Sequence, residues 1–121
     1  MSKSVGTDLS GAIMDLVMMR IVSAVLDTLA LSGEPQTYGE VATILGLHPQ
    51  DPNFYRYLDQ TIAEDLAEDR PLRAALVVSK RRGLPSQAFF DKVRDLGVAL
   101  PGFDEQAFWV GQVGQFKMAA S

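Results

Sequence analysis

The chain has 121 residues, 47% hydrophobic and 21% charged, a balance typical of a folded globular domain. It contains no cysteine and one histidine, His48, which excludes disulfides, thiolate metal sites, cysteine nucleophiles and multi-histidine metal sites. The net charge of −4 argues against indiscriminate polyanion binding, which requires a positive face.

The N-terminal part of the chain predicts one long helix. We expect residues 1–7 to form a flexible tail and residues 8–121 a single domain, with Asp8 capping a helix that ends near Leu31. Apolar side chains cover about half of the helix circumference, more than one buried face needs. The helix is therefore either a central core helix or one whose extra apolar stripe packs on a second copy, forming a homodimer. Charges within it, and the absence of a recognisable secretory signal, predict a cytoplasmic protein without a membrane span.

Residues 36–96 carry the strongest local signals. Thr37 and Glu40 have capping-box spacing at the start of a helix that Gly46 ends. A second helix is expected from about residue 52 to residue 67, opened by aspartate and proline. One side of this second helix is apolar, and much of the opposite side is acidic through Asp59, Glu64, Asp65 and Glu68.

The following segment predicts a strand and a turn. Residues 72–79 are rich in β-favouring side chains, and the charged turn Lys80-Arg81-Arg82-Gly83 follows them. Ser86 is suited to cap a helix through Leu96, and Asp104 to cap a last helix. The expected fold is mainly α (α+β): a winged helix-turn-helix-like domain over residues 36–96, with a long N-terminal helix, a short β wing and a C-terminal helix.

Charge is strongly separated along the chain. Residues 70–94 contain seven basic residues and one acidic residue, so this segment carries +6 and the remainder −10. Arginine suits bidentate phosphate contacts, and a helix N-terminus attracts phosphate through its free amides and dipole. Three consecutive cations after a strand indicate a wing that follows a nucleic-acid backbone; the alternative is a solubilising turn. The predicted nucleic-acid-binding residues are Asn53, Tyr55, Arg56, Gln60, Arg70, Arg73, Lys80, Arg81 and Arg82.

The run TYGEVA at residues 37–42, followed by Leu45-Gly46, resembles the start of the winged helix in the alkyltransferase-like and alkylguanine DNA alkyltransferase family. In that family this segment forms the first helix of a DNA-binding helix-turn-helix, and a recognition helix and an apolar strand follow. The resemblance implies DNA rather than RNA as the partner. The family's reactive P-C-H-R segment is absent, which excludes alkyl transfer, and the helix equivalent to the recognition helix is acidic here.

No catalytic set is recognisable in the sequence. Gly111 and Gly114 lack the preceding strand that a dinucleotide-binding fingerprint requires, and His48 is expected to be a loop residue. The acidic residues of the second helix have helical rather than cation-loop spacing, so we expect no metal and no cofactor. The prediction is a small non-enzymatic nucleic-acid-binding protein, a bacterial DNA-binding regulator or DNA-processing accessory. The alternative is an acidic protein-interaction module or inhibitor that mimics nucleic acid through residues 59–69.

Overall fold

A computed structural model describes residues 2–98, 100 and 104–120, with the side chains of residues 2–10 outside that description. The described chain is mainly helical, as the sequence predicted, with a small two-stranded sheet. Most of the predicted linker at residues 98–103 lies outside the described residues. In chain order the elements are α1 (Ser2–Ser32), β1 (Gln36–Thr37), α2 (Tyr38–Leu45), α3 (Pro52–Ala67), a 3-10 helix (Arg73–Leu76), β2 (Val77–Val78), α4 (Gln87–Asp95) and α5 (Glu105–Ala120).

The first helix is longer than predicted. It begins at Ser2, so Asp8 is an interior residue and not an N-cap. Residues 2–7 contain no proline, and nothing in them prevents the helix from continuing upstream. The helix ends where the Gly33 N–H donates to the Leu29 carbonyl at 3.0 Å. Over the described residues, no helix combines the length and apolar character that crossing a bilayer demands. The flexibility of residues 1–7 stays a prediction.

The helix starts of the middle block are confirmed. Thr37 and Glu40 form the capping box: Thr37 Oγ1 accepts from Glu40 N at 3.1 Å, and Glu40 Oε1 accepts from Thr37 N at 3.2 Å. Gly46 ends α2 in the left-handed conformation at φ 71°. Asp51 caps α3 by accepting from Asn53 N at 2.9 Å. These local signals fix the positions of both helices because each satisfies backbone groups that the helix leaves unpaired.

The predicted strand at residues 72–79 is wrong for most of its length. Residues Arg73–Leu76 form a 3-10 helix, and Val77 and Val78 alone pair with β1, in parallel register opposite Gln36 and Thr37. The reason is a contact with the preceding helix, since buried Asp65 of α3 accepts a hydrogen bond from Arg73 N at 3.0 Å. This bond and the turn bond from Ala75 N to the Leu72 carbonyl hold residues 73–76 in a helical turn and not in an extended strand.

The predicted β wing is also corrected, because no third strand follows β2 within the described residues. Instead, Ser79 N donates to the Leu84 carbonyl and Gly83 N donates to the Ser79 carbonyl, both at 2.8 Å. Gly83 has φ 70°, a left-handed conformation that suits glycine in this turn. Pro85 has no N–H to extend the pairing, so the chain passes directly into α4.

The core consists of two clusters of buried side chains that meet at Trp109. The first is formed by Val22, Leu26, Leu29, Val41, Ala42, Phe54, Tyr57, Leu58, Leu76, Val77, Val113 and Phe116. The second is formed by Ile62, Leu72, Ala74, Ala75, Phe89, Phe90 and Val93. Trp109 packs against both clusters, and its indole N–H donates to the Ala75 carbonyl at 2.8 Å. This contact holds α5 against the 3-10 helix.

Candidate nucleic-acid interface

The turn between β2 and α4 presents three consecutive exposed cations, Lys80, Arg81 and Arg82, which we call the basic turn. The backbone bonds between Ser79 and residues 83 and 84 fix its shape. In the described part of the chain, none of its three side chains forms an ion pair. Because these charges are neither buried nor neutralised by a close carboxylate, they remain available to an external anion.

Two carboxylates lie within electrostatic range of the basic turn. The pKa of Glu40 is lowered mainly by its hydrogen bonds with the Thr37 N–H and hydroxyl, and also by the charge of Lys80. The pKa of Glu105 is lowered mainly by the hydrogen bond from Gln87, then by Arg94, with a smaller effect of Arg82. Each carboxylate therefore has a closer partner of its own, and the basic turn keeps its positive character.

The N-terminus of α4 directly follows the basic turn. The Ser86 N–H donates to the Tyr38 hydroxyl at 2.8 Å, and that hydroxyl donates to Ser86 Oγ at 3.2 Å. The backbone N–H groups of Gln87 and Ala88 have no acceptor among the described residues. The positive end of the α4 dipole thus adds to the field of the basic turn. The sequence predicted Ser86 as the cap of this helix, and Ser86 does occupy the N-cap position, but its side chain forms no capping hydrogen bond. The pairing with Tyr38, a residue far away in the chain, was not predicted.

Four predicted contact residues lie on the N-terminal half of α3. Gln60 is exposed. Asn53 is exposed too, although its side-chain oxygen accepts from Arg56 at 3.1 Å. Arg56 is paired with Asp15 of α1 at 3.0 Å. Tyr55 is partly buried, with its ring 5.7 Å from that of Tyr38. The free polar groups of α3 are therefore fewer than the sequence indicated, and Tyr55 serves mainly in packing.

The prediction that Arg73 contacts nucleic acid is wrong, because this residue is buried. Its side chain is only 7% exposed, and its Nη2 lies 3.0 Å from Oδ1 of the fully buried Asp65. Its Nη1 donates to Asp27 Oδ1 at 2.8 Å and to Ser23 Oγ at 2.6 Å. Burial lowers the pKa of Arg73, but the bonds to Asp65 and Asp27 more than compensate, so the net shift is upward. The guanidinium is committed to the interior and cannot reach a phosphate.

Arg70 is half-exposed but already paired. Its Nη2 donates to Asp65 Oδ1 at 2.8 Å, and its Nε lies 3.3 Å from Glu68 Oε2. A phosphate would have to compete with two carboxylates for this side chain, one of them buried. Arg70 is consequently a weaker candidate than the basic turn.

The acidic side of α3 is largely neutralised within the molecule. Asp65 is buried between two arginines, and Glu64 and Glu68 lie 3.8 Å and 3.3 Å from Arg73 and Arg70. Burial raises the pKa of Asp59, and the charge of Lys92, a residue the sequence prediction did not include, partly opposes that rise. Over the described residues, no group of three or more histidine and acidic side chains is arranged to hold a metal ion. Because Glu64, Asp65 and Glu68 are paired with arginines, the surface predicted to mimic nucleic acid has few free carboxylates.

Comparison with known proteins adds no relative. No protein-family model, curated protein or solved structure gives a significant match to this chain. The resemblance of residues 37–46 to the alkyltransferase family stays a prediction.

Proposed function

We propose that this chain is a small non-enzymatic nucleic-acid-binding protein whose main phosphate contact is the basic turn. The observation that carries the proposal is a cluster of three adjacent free cations next to arginines that carboxylates neutralise. Arg70, Arg73 and Arg94 are held by carboxylates, whereas the three residues of the basic turn are exposed and unpaired among the described residues. Adjacent free cations on one short hydrogen-bonded turn can contact the phosphates of a nucleic-acid backbone together.

The order of elements supports a shortened winged-helix arrangement. α1, β1, α2, α3 and β2 occur in the order of a winged helix, with the 3-10 helix inserted between α3 and β2 and with β1 beside β2. The basic turn occupies the chain position of the wing but lacks its hairpin. DNA is the proposed partner, and a regulator or DNA-processing accessory the proposed role. Asn53 and Gln60 are the exposed amides of α3 that would approach base edges, where side-chain amides pair with adenine.

The acidic composition sets the expected strength of binding. With a net charge of −4, the whole chain repels a polyanion, and only the local field of the basic turn and the α4 N-terminus attracts it. Affinity should consequently be modest and fall steeply with salt.

The proposal is tested by fluorescence anisotropy with labelled duplex DNA, single-stranded DNA and duplex RNA of mixed sequence at low salt. We expect wild-type protein to bind duplex DNA, and the triple variant Lys80→Ala/Arg81→Ala/Arg82→Ala to bind at least tenfold more weakly, since each lost phosphate contact reduces affinity by about 1 kcal/mol or more at low salt. Absence of wild-type binding to all three probes would rule the proposal out.

A further inference from the structure

The outward side of α1 carries an unpartnered apolar seam. Its residues follow the alternating three- and four-residue spacing of a coiled-coil helix. They are Met14, Val17, Ile21, Ala24, Thr28 and Leu31, which we call the outer seam. Met14, Val17, Ile21 and Leu31 are 59%, 43%, 42% and 78% exposed. Ala24 and Thr28 are exposed as well.

The opposite side of the same helix already supplies the core. Val22, Leu26 and Leu29 are buried in the first cluster, so α1 does not need the outer seam for its own folding. A helix that is apolar on two sides leaves one of them in water unless a second body covers it. A contiguous apolar stripe of this length is typical of a helix–helix interface.

We propose that a second copy of this chain covers the outer seam. The two α1 helices are antiparallel, and the two-fold axis crosses them at the height midway between Val22 and Ser23. In that register Met14 faces the partner's Leu31, Val17 faces the partner's Thr28 and Ile21 faces the partner's Ala24. The layers next to the axis therefore pair a β-branched side chain with a small one, which allows close approach without overpacking.

Charge complementarity selects this register. Arg20 and Asp27 each precede an outer-seam residue, at the flanking position that faces its equivalent across an antiparallel pair. With the axis between Val22 and Ser23, Arg20 and the partner's Asp27 lie on the same flank of the pair, offset by two residues along the helices. The long side chain of Arg20 spans this offset of about 3 Å, and symmetry repeats the pair. Arg20 is exposed and forms no ion pair among the described residues. Asp27 is 64% exposed and uses only Oδ1 for Arg73, so Oδ2 remains for a second cation.

A parallel pair would not satisfy these charges. In parallel helices the residue at the position of Arg20 faces the position of Val25, and each seam residue meets its own copy. Arg20 would then lie beside an apolar side chain, and Asp27 would gain no cation. The inference concerns how two copies associate and does not depend on nucleic-acid binding.

Because the chain has no cysteine, single-cysteine variants report the register directly. Met14→Cys and Leu31→Cys both replace exposed side chains at opposite ends of the outer seam. We expect a disulfide-linked dimer when the two variants are mixed under mild oxidation, and little when either is oxidised alone. Ile44→Cys on α2, also exposed, is the matched control and should not cross-link with either variant. Efficient cross-linking of each variant with itself would overturn the antiparallel register.

Sedimentation equilibrium over a dilution series tests the association itself. Wild-type protein should shift from monomer towards dimer as concentration rises, and Ile21→Asp should remain monomeric with unchanged helical content. Its melting temperature should equal that of the dilute, monomeric wild type and should not rise with concentration, because Ile21 lies outside both core clusters. A wild-type chain that stays monomeric throughout would overturn the proposal. So would a monomer that binds lipid vesicles through the outer seam, or an Ile21→Asp variant that still dimerises.

Discussion

Arg73 and Asp65 form an ion pair inside the protein, with Arg73 Nη2 3.0 Å from Asp65 Oδ1 and the two side chains 7% and 0% exposed. Arg73 also reaches Ser23 and Asp27, so one guanidinium joins α1, α3 and the 3-10 helix. No buried side-chain nitrogen or oxygen of the described residues lacks a hydrogen-bond partner. A buried pair satisfied in this way fixes the relative positions of three elements, because any other arrangement would leave a charge unpaired.

Removing one member of this pair should be strongly destabilising. We expect Arg73→Met to lower the free energy of unfolding by about 3–5 kcal/mol, because it leaves the Asp65 carboxylate buried with only Arg70 as a charged partner. Arg70→Met is the control, since Arg70 is half-exposed and its loss leaves Arg73 in place; its effect should be below about 1 kcal/mol. Urea unfolding measures both values. Equal losses for the two variants would contradict the assignment of Arg73 to the core.

Two glycines with the same backbone conformation provide a matched test of the α1–α5 contact. Gly33 and Gly46 have φ of 72° and 71°. A Cβ on Gly33 would lie 2.9 Å from the Lys117 backbone nitrogen, whereas a Cβ on Gly46 would meet nothing within 4 Å. Gly46→Ala should therefore show only the left-handed strain of about 1 kcal/mol. Gly33→Ala should add a packing clash to this strain, and its free energy of unfolding should fall by about 2–4 kcal/mol in total.

The comparison is made by thermal and urea unfolding of both variants under the same conditions. If Gly33→Ala lowers the free energy of unfolding no more than Gly46→Ala does, then α5 does not approach the end of α1 as closely as described.

The ionised Asp59 carboxylate should destabilise the folded protein at neutral pH, whereas a carboxylate held by a cation stabilises it. Burial raises its pKa above 3.8, so its ionised form is disfavoured in the folded state. The resulting destabilisation is fully present above the folded pKa and disappears as pH falls towards the unfolded value. Asp59→Asn should therefore stabilise the protein at neutral pH, and the gain should vanish near pH 3.8.

A substitution of Lys92 should have the opposite effect on stability over the same pH range. Its charge partly lowers the pKa of Asp59, so Lys92→Met should destabilise the protein at neutral pH and have little effect near pH 3.8. Unfolding midpoints of both variants across that range measure these effects. Parallel curves for wild type and Asp59→Asn at every pH would contradict the burial of this carboxylate.

The features that the sequence predicted well are those determined by neighbours in the chain. The capping box of Thr37 and Glu40, the glycine that ends α2 and the aspartate that opens α3 each act within a few residues. The strand at residues 72–79 failed because Asp65 curls that segment from another helix. β-propensity describes how well a side chain fits a pleated, half-buried surface and contains no information about such a partner.

The candidate interface could be predicted only in part for a similar reason. The basic run and the acidic helix were visible in the sequence as separate charge clusters, but their mutual neutralisation was not. Arg73 pairs with Asp27 and Arg56 pairs with Asp15, both more than forty residues away in the chain. Arg73 also pairs with Asp65 of the preceding helix, across a turn whose shape the sequence does not show. The three adjacent cations of the basic turn were predicted from the sequence, but the sequence did not show that Arg70 and Arg73 are already paired and these three are not.

The salt dependence of duplex DNA binding tests the central claim most directly. Lys80→Ala and Lys117→Ala each remove one exposed lysine, the first from the basic turn and the second from α5. We expect Lys80→Ala to reduce the slope of log affinity against log salt by about 0.9 and the triple variant of the basic turn by about 2–3, while Lys117→Ala leaves the slope unchanged. Equal slopes for wild type and the triple variant, or an equal effect of the two lysine variants, would contradict the assignment of the basic turn as the phosphate contact.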